Sequence, residues 1–200
     1  MLTPPKFCEI CNSLYMPNLA NDIANHKKFH MNVVNGIQVR ITKKDNIVFS
    51  WEEYQLILID LNATYSQISR LNKLSKFINA SIHRNEYFSY HIHLDYPIKP
   101  EKKFFLLCFK NRIIGYLDIE LVSKGLDKPT WIIKMIWLAV NYRSRGLAKN
   151  IVESSIKHLN QDLSSVGWEA PFSKQGLAFV KSLCPDGFRA FKTRYSMSVG

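Results

Sequence analysis

The chain has 200 residues, of which 46% are apolar, so it is long enough for one main domain with a hydrophobic core and a small additional unit. No apolar run approaches the roughly 18 residues of a membrane span, and the first residues lack the pattern of a signal peptide, so a soluble intracellular protein without a membrane partner is expected. The 27 Lys and Arg residues outnumber the 16 Asp and Glu residues, and the net charge of +11 favours nucleic acid, chromatin or an acidic partner, although a basic protein without such a partner also fits.

The first predicted unit, residues 3–32, is a zinc finger, which we call the finger. Two residues separate the first pair of ligands, fourteen follow, and three separate the second pair, as in two-Cys, two-His zinc sites. The ligands are Cys8, Cys11, His26 and His30. The cysteines are predicted on a hairpin turn and the histidines on a helix over Asn21–His30, and zinc would supply the folding free energy that so small a core lacks. A lone finger reads about three base pairs, so a docking or structural role fits as well as DNA contact.

Residues 33–200 are predicted to form the second domain. Alternation over Gly36–Ile41 and the turn residues before Ile47–Ser50 predict a hairpin. Apolar residues at helical spacing predict an amphipathic helix over Ala63–Ile82, and we expect its apolar stripe to belong to the hydrophobic core.

A long apolar strand, Trp131–Val140, is predicted in the middle of a sheet that is covered on both faces. It follows a second predicted hairpin, Phe104–Phe109 with Ile113–Val122, so three consecutive strands are antiparallel. Strict alternation would place Trp131, Ile133, Met135, Trp137 and Ala139 on one face, and Ile132, Ile136, Leu138 and Val140 on the other. The later predicted elements are helix Lys149–Leu159, strand Val166–Trp168, helix Gln175–Leu183 and strand Phe188–Tyr195.

The long strand runs directly into a basic turn and then into the helix that follows. Gly146 and Ala148 let a ligand approach the main chain closely, and the first N–H groups of the helix face that ligand with the positive end of the helix dipole. The sequence lacks the Gly-Lys-Ser/Thr of nucleotide-hydrolysing loops and the GxGxxG of dinucleotide folds. The turn therefore predicts an anion site, in particular for phosphate, although an ordinary basic turn before a helix has the same pattern.

Four residues with reactive side chains are not assigned a role. His91 and His93 share one side of an extended segment, but a third metal ligand is missing, so we expect them to face solvent or form hydrogen bonds. Cys108 lies in an apolar strand without a paired histidine, which predicts a small buried side chain rather than a nucleophile. Cys184 lies at a turn and belongs to no motif.

The pattern Arg143-x-x-Gly146-x-Ala148 at a strand-to-helix junction resembles the acetyl-CoA pyrophosphate loop of the GCN5-related N-acetyltransferases. The chain as a whole resembles one branch of these enzymes, the cohesin acetyltransferase family, in which a two-Cys, two-His finger precedes the catalytic domain. The matching segments are CEICNSLYMPNLANDIANHKKFH, then Ile136-Trp137-Leu138 with Arg143, Arg145, Leu147, Ala148 and Glu153, and more loosely VGWEAPFSKQGLAF at residues 166–179.

This resemblance implies a fold and two cofactors. The expected fold is α+β, with a mixed and mostly antiparallel sheet flanked by helices and the finger at the N-terminal end. Acetyl-CoA is the expected cosubstrate, its pantetheine arm held by the end of the long strand and its pyrophosphate by the basic turn, and zinc is expected in the finger. The residues implied in acetyl-CoA binding are Leu138, Ala139, Val140, Arg143, Ser144, Arg145, Gly146, Leu147 and Ala148.

The resemblance also implies transfer of the acetyl group to lysines of a cohesin SMC subunit, in the nucleus, to establish sister-chromatid cohesion. Glu153 matches the catalytic glutamate of the family and would accept the proton that lysine must lose, whereas periodicity by itself leaves it in solvent. The family's Asp before Pro is replaced by Ala170, which makes the adjacent Glu169 a second catalytic candidate. Lys134-Met135 stands where better-known members carry Ser-Arg.

Two other functions remain open at this stage. A chromatin-docking zinc-finger protein with a weakened acetyltransferase fold would act by binding partners or DNA through its positive charge. A related enzyme that acetylates small amines or other proteins would share the cofactor and differ in its acceptor. Binding of acetyl-CoA distinguishes the docking protein from the two enzymes.

Overall fold

A computed structural model describes residues 3–82 and 97–192. The strands are β1 Lys6–Cys8, β2 Ser13–Tyr15, β3 Ile37–Gln38, β4 Asn46–Trp51, β5 Tyr54–Ile59, β6 Lys102–Phe109, β7 Arg112–Val122, β8 Thr130–Leu138, β9 Gly167–Ala170 and β10 Arg189–Lys192. The helices are α1 Ala20–Asn35, α2 Tyr65–Ile82, α3 Leu147–His158 and α4 Lys174–Leu183, with 3₁₀ turns at Val140–Tyr142 and Leu163–Ser165. No helix in the described ranges has the length and apolar character needed to cross a bilayer. His91, His93 and residues 193–195 of the last predicted strand lie outside these ranges.

Strands β3 to β10 form one sheet in the order β10-β9-β8-β7-β6-β5-β4, and β3 pairs with β7. Neighbouring strands from β4 to β8 are antiparallel, whereas β9 is parallel to β8 and β10 is parallel to β9. β1 and β2 form a separate hairpin. The expected mixed, mostly antiparallel sheet is confirmed, as is the run of three antiparallel strands β6, β7 and β8.

The predicted hairpin of Gly36–Ile41 with Ile47–Ser50 is wrong. β3 has only two residues and pairs with β7, with Ile37 opposite Ile113, while β4 pairs with β5. Gly36 explains this path, because its φ of +78° and its lack of a side chain bring the chain so close to β7 that a Cβ would lie 2.3 Å from the Ile113 carbonyl oxygen. No Gly, Asn or Pro marks the turn before β5, so the sequence patterns miss this strand.

Each face of the sheet carries its own hydrophobic core. On one face, which we call the α2 face, helix α2 buries Ile68, Leu71, Leu74 and Ile78. On the other, which we call the α3 face, helices α3 and α4 bury Leu147, Ile151, Val152, Ile156 and Val180. Each fully buried side chain of this kind stabilises the fold by roughly 1.5–3 kcal/mol. The amphipathic helix predicted over Ala63–Ile82 is confirmed as α2, and its stripe belongs to the core.

The alternation predicted for the long strand is wrong at its beginning, because β8 contains a bulge. Asp118 lies opposite Met135 and the next residue of β7 lies opposite Ile133, so Lys134 is an inserted residue without a partner on β7. The insertion shifts Trp131 and Ile133 onto the α3 face together with Ile136 and Leu138. Met135, Trp137 and Ala139 remain on the α2 face.

Helix α1 is longer than the predicted helix over Asn21–His30. It continues to Asn35, past the predicted end of the finger at residue 32. Its last turns pack on the second unit, since Val33 is fully buried and the ring centroids of Phe29 and Phe77 on α2 are 5.1 Å apart. The division into residues 3–32 and 33–200 stays a prediction, although the helix itself crosses it without a break.

Candidate active site and metal centre

Strands β8 and β9 part from each other shortly after they begin. They pair only where Ile132 lies opposite Gly167 and Ile133 lies opposite Trp168. The rest of β8 therefore presents an unpaired edge on this side within the described residues. Because the N–H of Ala139 donates to the carbonyl oxygen of Ile114 at 2.8 Å, antiparallel alternation directs the main-chain groups of Ile136 and Leu138 away from β7 and into the gap.

The turn after β8 ends at the N-terminus of α3. Gly146 precedes the helix in a left-handed conformation, with φ of +76°, and no side chain of a described residue caps the first turn by a hydrogen bond. A Cβ at Gly146 would have no heavy atom of a described residue within 4 Å, so these residues leave the space beside it open. Free N–H groups and the helix dipole make such a terminus an anion site. The predicted order of strand, basic turn and helix is confirmed, while the role of each residue in acetyl-CoA binding stays a prediction.

Several polar groups of the turn are engaged in holding its own shape. The Arg143 side chain donates through Nε to the Leu138 carbonyl oxygen at 3.0 Å. The Tyr142 N–H donates to the Ala139 carbonyl oxygen at 2.9 Å, so both main-chain groups of Ala139 form internal hydrogen bonds. The exposed Arg145 guanidinium lies 5.6 Å from the centre of the Tyr142 ring, a cation–π contact. Only one of the five N–H donors of Arg143 is used in this way, so both arginines keep donors for an anion.

Three charged side chains meet where β8 and β9 part. The ammonium group of Lys134, the inserted residue, forms a close ion pair with Glu169 and lies 3.7 Å from a carboxylate oxygen of Glu120. The side chain of Glu169 is 14% exposed. Trp168 packs on the α3 face, so alternation directs Glu169 to the α2 face. The second catalytic candidate therefore lies beside the gap and already holds a cation.

Glu153 lies in a different environment. It is on α3, where its side chain is 50% exposed and its carboxylate is 3.8 Å from the ammonium group of Lys149 one turn earlier. It lines an open depression at the C-terminal end of this helix, together with Lys157 and residues 160–163. Because α3 covers the α3 face and Glu169 projects from the α2 face, the structure does not bring the two glutamates together. The solvent position agrees with the helical periodicity of Glu153, and its catalytic role stays a prediction.

The four predicted metal ligands form one cluster. The ligand atoms of Cys8, Cys11, His26 and His30 all lie within 4.8 Å of one another, and Cys8 Sγ is 3.3 Å from His30 Nδ1. The hairpin of β1 and β2 carries the cysteines and α1 carries the histidines, as predicted. The Tyr15 ring stacks on His26 with centroids 4.0 Å apart and fixes the orientation of the imidazole. Its Nε2 atom is buried and makes no hydrogen bond to a described residue.

The chemistry of these donors fits a metal ion. Burial by itself would raise the pKa of Cys8, but the main-chain N–H groups of Cys11 and Ile10 and the nearby imidazole of His26 lower this pKa to about 6. A bound cation would satisfy a thiolate at neutral pH and a buried imidazole nitrogen that has no hydrogen-bond partner among the described residues. Two sulfur and two nitrogen donors are typical of tetrahedral Zn²⁺ with no position left for substrate. These residues could therefore hold a structural zinc ion.

Sequence patterns missed two parts of the site. The sequence does not show that Glu120 lies near Lys134, because this depends on the register of β7 against β8, which the bulge shifts by one residue. Asn141 in the 3₁₀ turn donates to Asn35 of α1 at 2.7 Å, a contact between residues 106 positions apart for which no motif exists. Cys108 matches its prediction, since it is 1% exposed and burial raises its pKa to about 12.

Comparison with known proteins adds a sequence match that covers the site. The profile of the Acetyltransferase (GNAT) family matches residues 67–170, which is just over half of the 200 residues. This range includes β8, the turn, α3 and β9. No curated protein sequence matches the chain.

Solved structures share the fold. The xEco2 acetyltransferase domain bound to a K105-CoA conjugate aligns with a TM-score of 0.61 at 12% identity, over 76% of this chain and 99% of that chain. A second structure of the xEco2 acetyltransferase domain gives 0.60 at 13% identity, over 76% and 99%. The aminoglycoside acetyltransferase meta-AAC0020, from an uncultured soil metagenomic sample and in complex with sisomicin, gives 0.55 at 16% identity, over 72% and 96%. At these identities the likeness extends to the fold alone.

Proposed function

The chain belongs to the acetyltransferase (GNAT) family, and from that premise we propose that it transfers the acetyl group of acetyl-CoA to protein lysines. The acceptor lysines lie on an SMC subunit of cohesin, the reaction establishes sister-chromatid cohesion, and the protein acts in the nucleus. The observation that carries the enzymatic part is the uncapped N-terminus of α3 beside the gap between β8 and β9. An anion site and an unpaired strand edge next to each other suit a phosphate-bearing ligand with a long polar arm.

Acetyl-CoA extends along β8 in this proposal. The pyrophosphate lies at the first N–H groups of α3, next to the open space at Gly146 and the guanidinium of Arg145. The pantetheine arm lies along the edge of β8, where the main-chain groups of Ile136 and the N–H of Leu138 face the gap, while the Leu138 carbonyl oxygen accepts from Arg143. The thioester then reaches the closed end of the gap, near Lys134 and Glu169.

The reaction requires an uncharged lysine amine. The ammonium group must first lose a proton to a carboxylate, directly or through water, since the ordinary pKa of lysine is near 10.4. The amine nitrogen then bonds to the thioester carbonyl carbon, the carbon–sulfur bond breaks, and CoA leaves as a thiolate that takes up a proton. N–H groups on the unpaired edge of β8 stabilise the developing oxyanion.

Glu169 and Glu153 are the proposed proton acceptors. Glu169 is supported by its position at the gap and its low exposure, and Lys134 must release it before it can accept a proton. Glu153 is supported by its match to the family's catalytic glutamate, while its ion pair with Lys149 is of the exposed kind that stabilises a helix only weakly. The replacement of the family's Asp by Ala170 makes the comparison of these two glutamates informative.

Zinc is the proposed metal of the finger. It would be held by the two cysteines and two histidines of the cluster, and its chemistry there is structural because no coordination position remains open. Every step of acetyl transfer is carried by residues of the second domain.

The cohesin acceptor is supported by the finger motif, by the Ile136-Trp137-Leu138 segment and by the fold shared with xEco2. The second candidate is acetylation of a small amine, which is favoured by the fold shared with an aminoglycoside acetyltransferase. The third is a chromatin-docking protein, which the net charge of +11 favours. The second candidate predicts that the protein binds acetyl-CoA but acetylates no protein. The third predicts no acetyl-CoA binding and no acetyl transfer.

Calorimetric titration with acetyl-CoA tests the enzymatic proposal. We expect wild type to bind and both Arg145→Ala and Gly146→Asp to bind at least about tenfold more weakly, a change of roughly 1.4 kcal/mol. Absence of binding by wild type, or equal binding by all three proteins, would contradict the enzyme.

Transfer of labelled acetyl groups to a cohesin head, with an aminoglycoside as the competing acceptor, tests the substrate. Glu169→Gln and Glu153→Gln are compared with Glu53→Gln, because Glu53, like Glu153, forms an exposed ion pair with a lysine, Lys110, but lies outside the site. We expect the control to transfer label like wild type and at least one of the other variants to lose about a hundredfold in rate. Label on the aminoglycoside alone would favour the small-amine enzyme.

A further inference from the structure

Helix α1 connects the metal-ligand cluster directly to the second domain. His26 and His30 are in its middle, and the helix continues without a break for five residues beyond His30, to Asn35. Its last turns are anchored, since Val33 is fully buried and Phe29 packs on Phe77. The orientation of this helix is therefore set at one end by the cluster and at the other by the core of the second domain.

The end of α1 contacts the turn that leads to α3. The Asn141 side chain donates through Nδ2 to Asn35 Oδ1 at 2.7 Å. Asn141 belongs to the 3₁₀ turn Val140–Tyr142, against which α1 packs. Four residues after this turn the chain reaches Gly146 and the uncapped start of α3. A contact at Asn141 can thus fix where the anion-binding turn begins.

The chain that leaves α1 adds a second connection at the same place. The Gly36 carbonyl oxygen accepts a hydrogen bond from the Arg112 guanidinium at 2.9 Å, and Ile37 pairs with Ile113 on β7. The next residue of β7, Ile114, accepts the N–H of Ala139 at 2.8 Å, where β8 passes into the 3₁₀ turn. The chain just after α1 and the beginning of the 3₁₀ turn are therefore held by adjacent residues of β7.

We propose that the finger is a structural support of the acetyl-CoA site, and that Asn35 and Asn141 are the positioning residues that connect the two. This inference rests on the proposed acetyl-CoA binding. Zinc orders the cysteine hairpin and the first half of α1, α1 holds Asn35 in place, and Asn35 holds the 3₁₀ turn so that the N–H groups of α3 and Arg145 face the pyrophosphate. The finger then contributes to cofactor affinity without touching the cofactor.

The test is calorimetric titration of the full chain with acetyl-CoA, together with its KM in the transfer reaction. Asn35→Ala and Asn141→Ala should each raise Kd and KM for acetyl-CoA about fivefold, the effect of losing one neutral hydrogen bond, with kcat unchanged. The double variant should be no weaker than either single variant, because both remove the same bond. Asn35→Asp keeps an acceptor oxygen and should bind within about twofold of wild type.

Asn21→Ala is the matched control, since it makes the same change at an exposed position of the same helix. It should leave Kd at the wild-type value, and zinc content measured by mass spectrometry should be one ion per chain in every variant. Removal of zinc from wild type by a chelator should raise Kd at least as much as Asn35→Ala does. If wild type fails to bind acetyl-CoA, the proposed function and this inference fall together. If wild type binds and the two asparagine variants bind equally well, only the inference is refuted.

Discussion

Replacement of Gly146 by alanine tests whether the turn before α3 receives acetyl-CoA. Gly146 has φ of +76°, a left-handed conformation that costs a residue with a Cβ about 1–2 kcal/mol. In the part of the chain that the structure describes, no heavy atom lies within 4 Å of the Cβ that alanine would add, so no steric clash with these residues adds to this cost. In a chain of this size a loss of that magnitude lowers the melting temperature by about 2–8 °C. The free protein should therefore remain folded.

Gly187→Ala is the matched control, because Gly187 also has a positive φ, +117°, and open space at its Cβ position, on the turn before β10. We expect Gly187→Ala to lose at least as much thermal stability as Gly146→Ala, because a φ of +117° lies further from the left-handed region that a residue with a Cβ can adopt. Only Gly146→Ala should weaken acetyl-CoA binding, with a Kd raised about tenfold or more, since its methyl group enters the space where the pyrophosphate meets the main chain. Thermal unfolding and calorimetric titration measure the two quantities. Equal acetyl-CoA affinities of the two variants would refute the assignment of this turn.

Burial by itself would raise the pKa of Asp45, but the hydrogen bond from Arg70 at 2.6 Å lowers this pKa below its ordinary value. Ionised Asp45 therefore stabilises the fold above about pH 4, and this stability is lost as the pH falls below that value. In urea unfolding at pH 7, Asp45→Asn should lower the free energy of unfolding by about 3 kcal/mol. Between pH 5 and pH 3 the free energy of unfolding should fall less for this variant than for wild type, and identical pH profiles would contradict this. In the same assay Gly36→Ala should lower the free energy of unfolding by about 3 kcal/mol or more, because its Cβ would meet the Ile113 carbonyl oxygen at 2.3 Å. A decrease as small as that of an exposed substitution would show that the chain can move away. Purified protein should contain one zinc ion per chain and Cys11→Ser none, with a lower melting temperature, so a metal-free wild type of unchanged stability would count against a structural metal.

The parts that sequence patterns predicted correctly are those with a strong local signal. The spacing of two cysteines and two histidines is enough to predict a cluster, because a helix places residues four apart on one face. The amphipathic period gives α2, and a long apolar run followed by Gly146 gives β8, the turn and α3. The order of these segments also carries the resemblance to acetyltransferases, which the family match bears out at the level of the GNAT family.

The parts that were mispredicted depend on contacts between distant residues. The sequence cannot show that β3 leaves β4 and joins β7, because this depends on how closely Gly36 can approach Ile113. It cannot show the bulge at Lys134 either, since one inserted residue leaves the apolar composition of the strand unchanged and only shifts its register against β7. That single shift moves Trp131 and Ile133 to the other face.

The sequence by itself thus determined the kinds of groups this protein carries: two cysteines and two histidines at metal-ligand spacing, a basic glycine turn and two glutamates that follow it in the chain. Only the tertiary structure decided which of them meet. Glu169 faces Lys134 at the gap while Glu153 lies on the opposite side of the sheet, because strand alternation and helix packing assign each side chain to one face. The finger likewise joins the site through Asn35 and Asn141, since a helix is rigid enough to carry position from one end to the other.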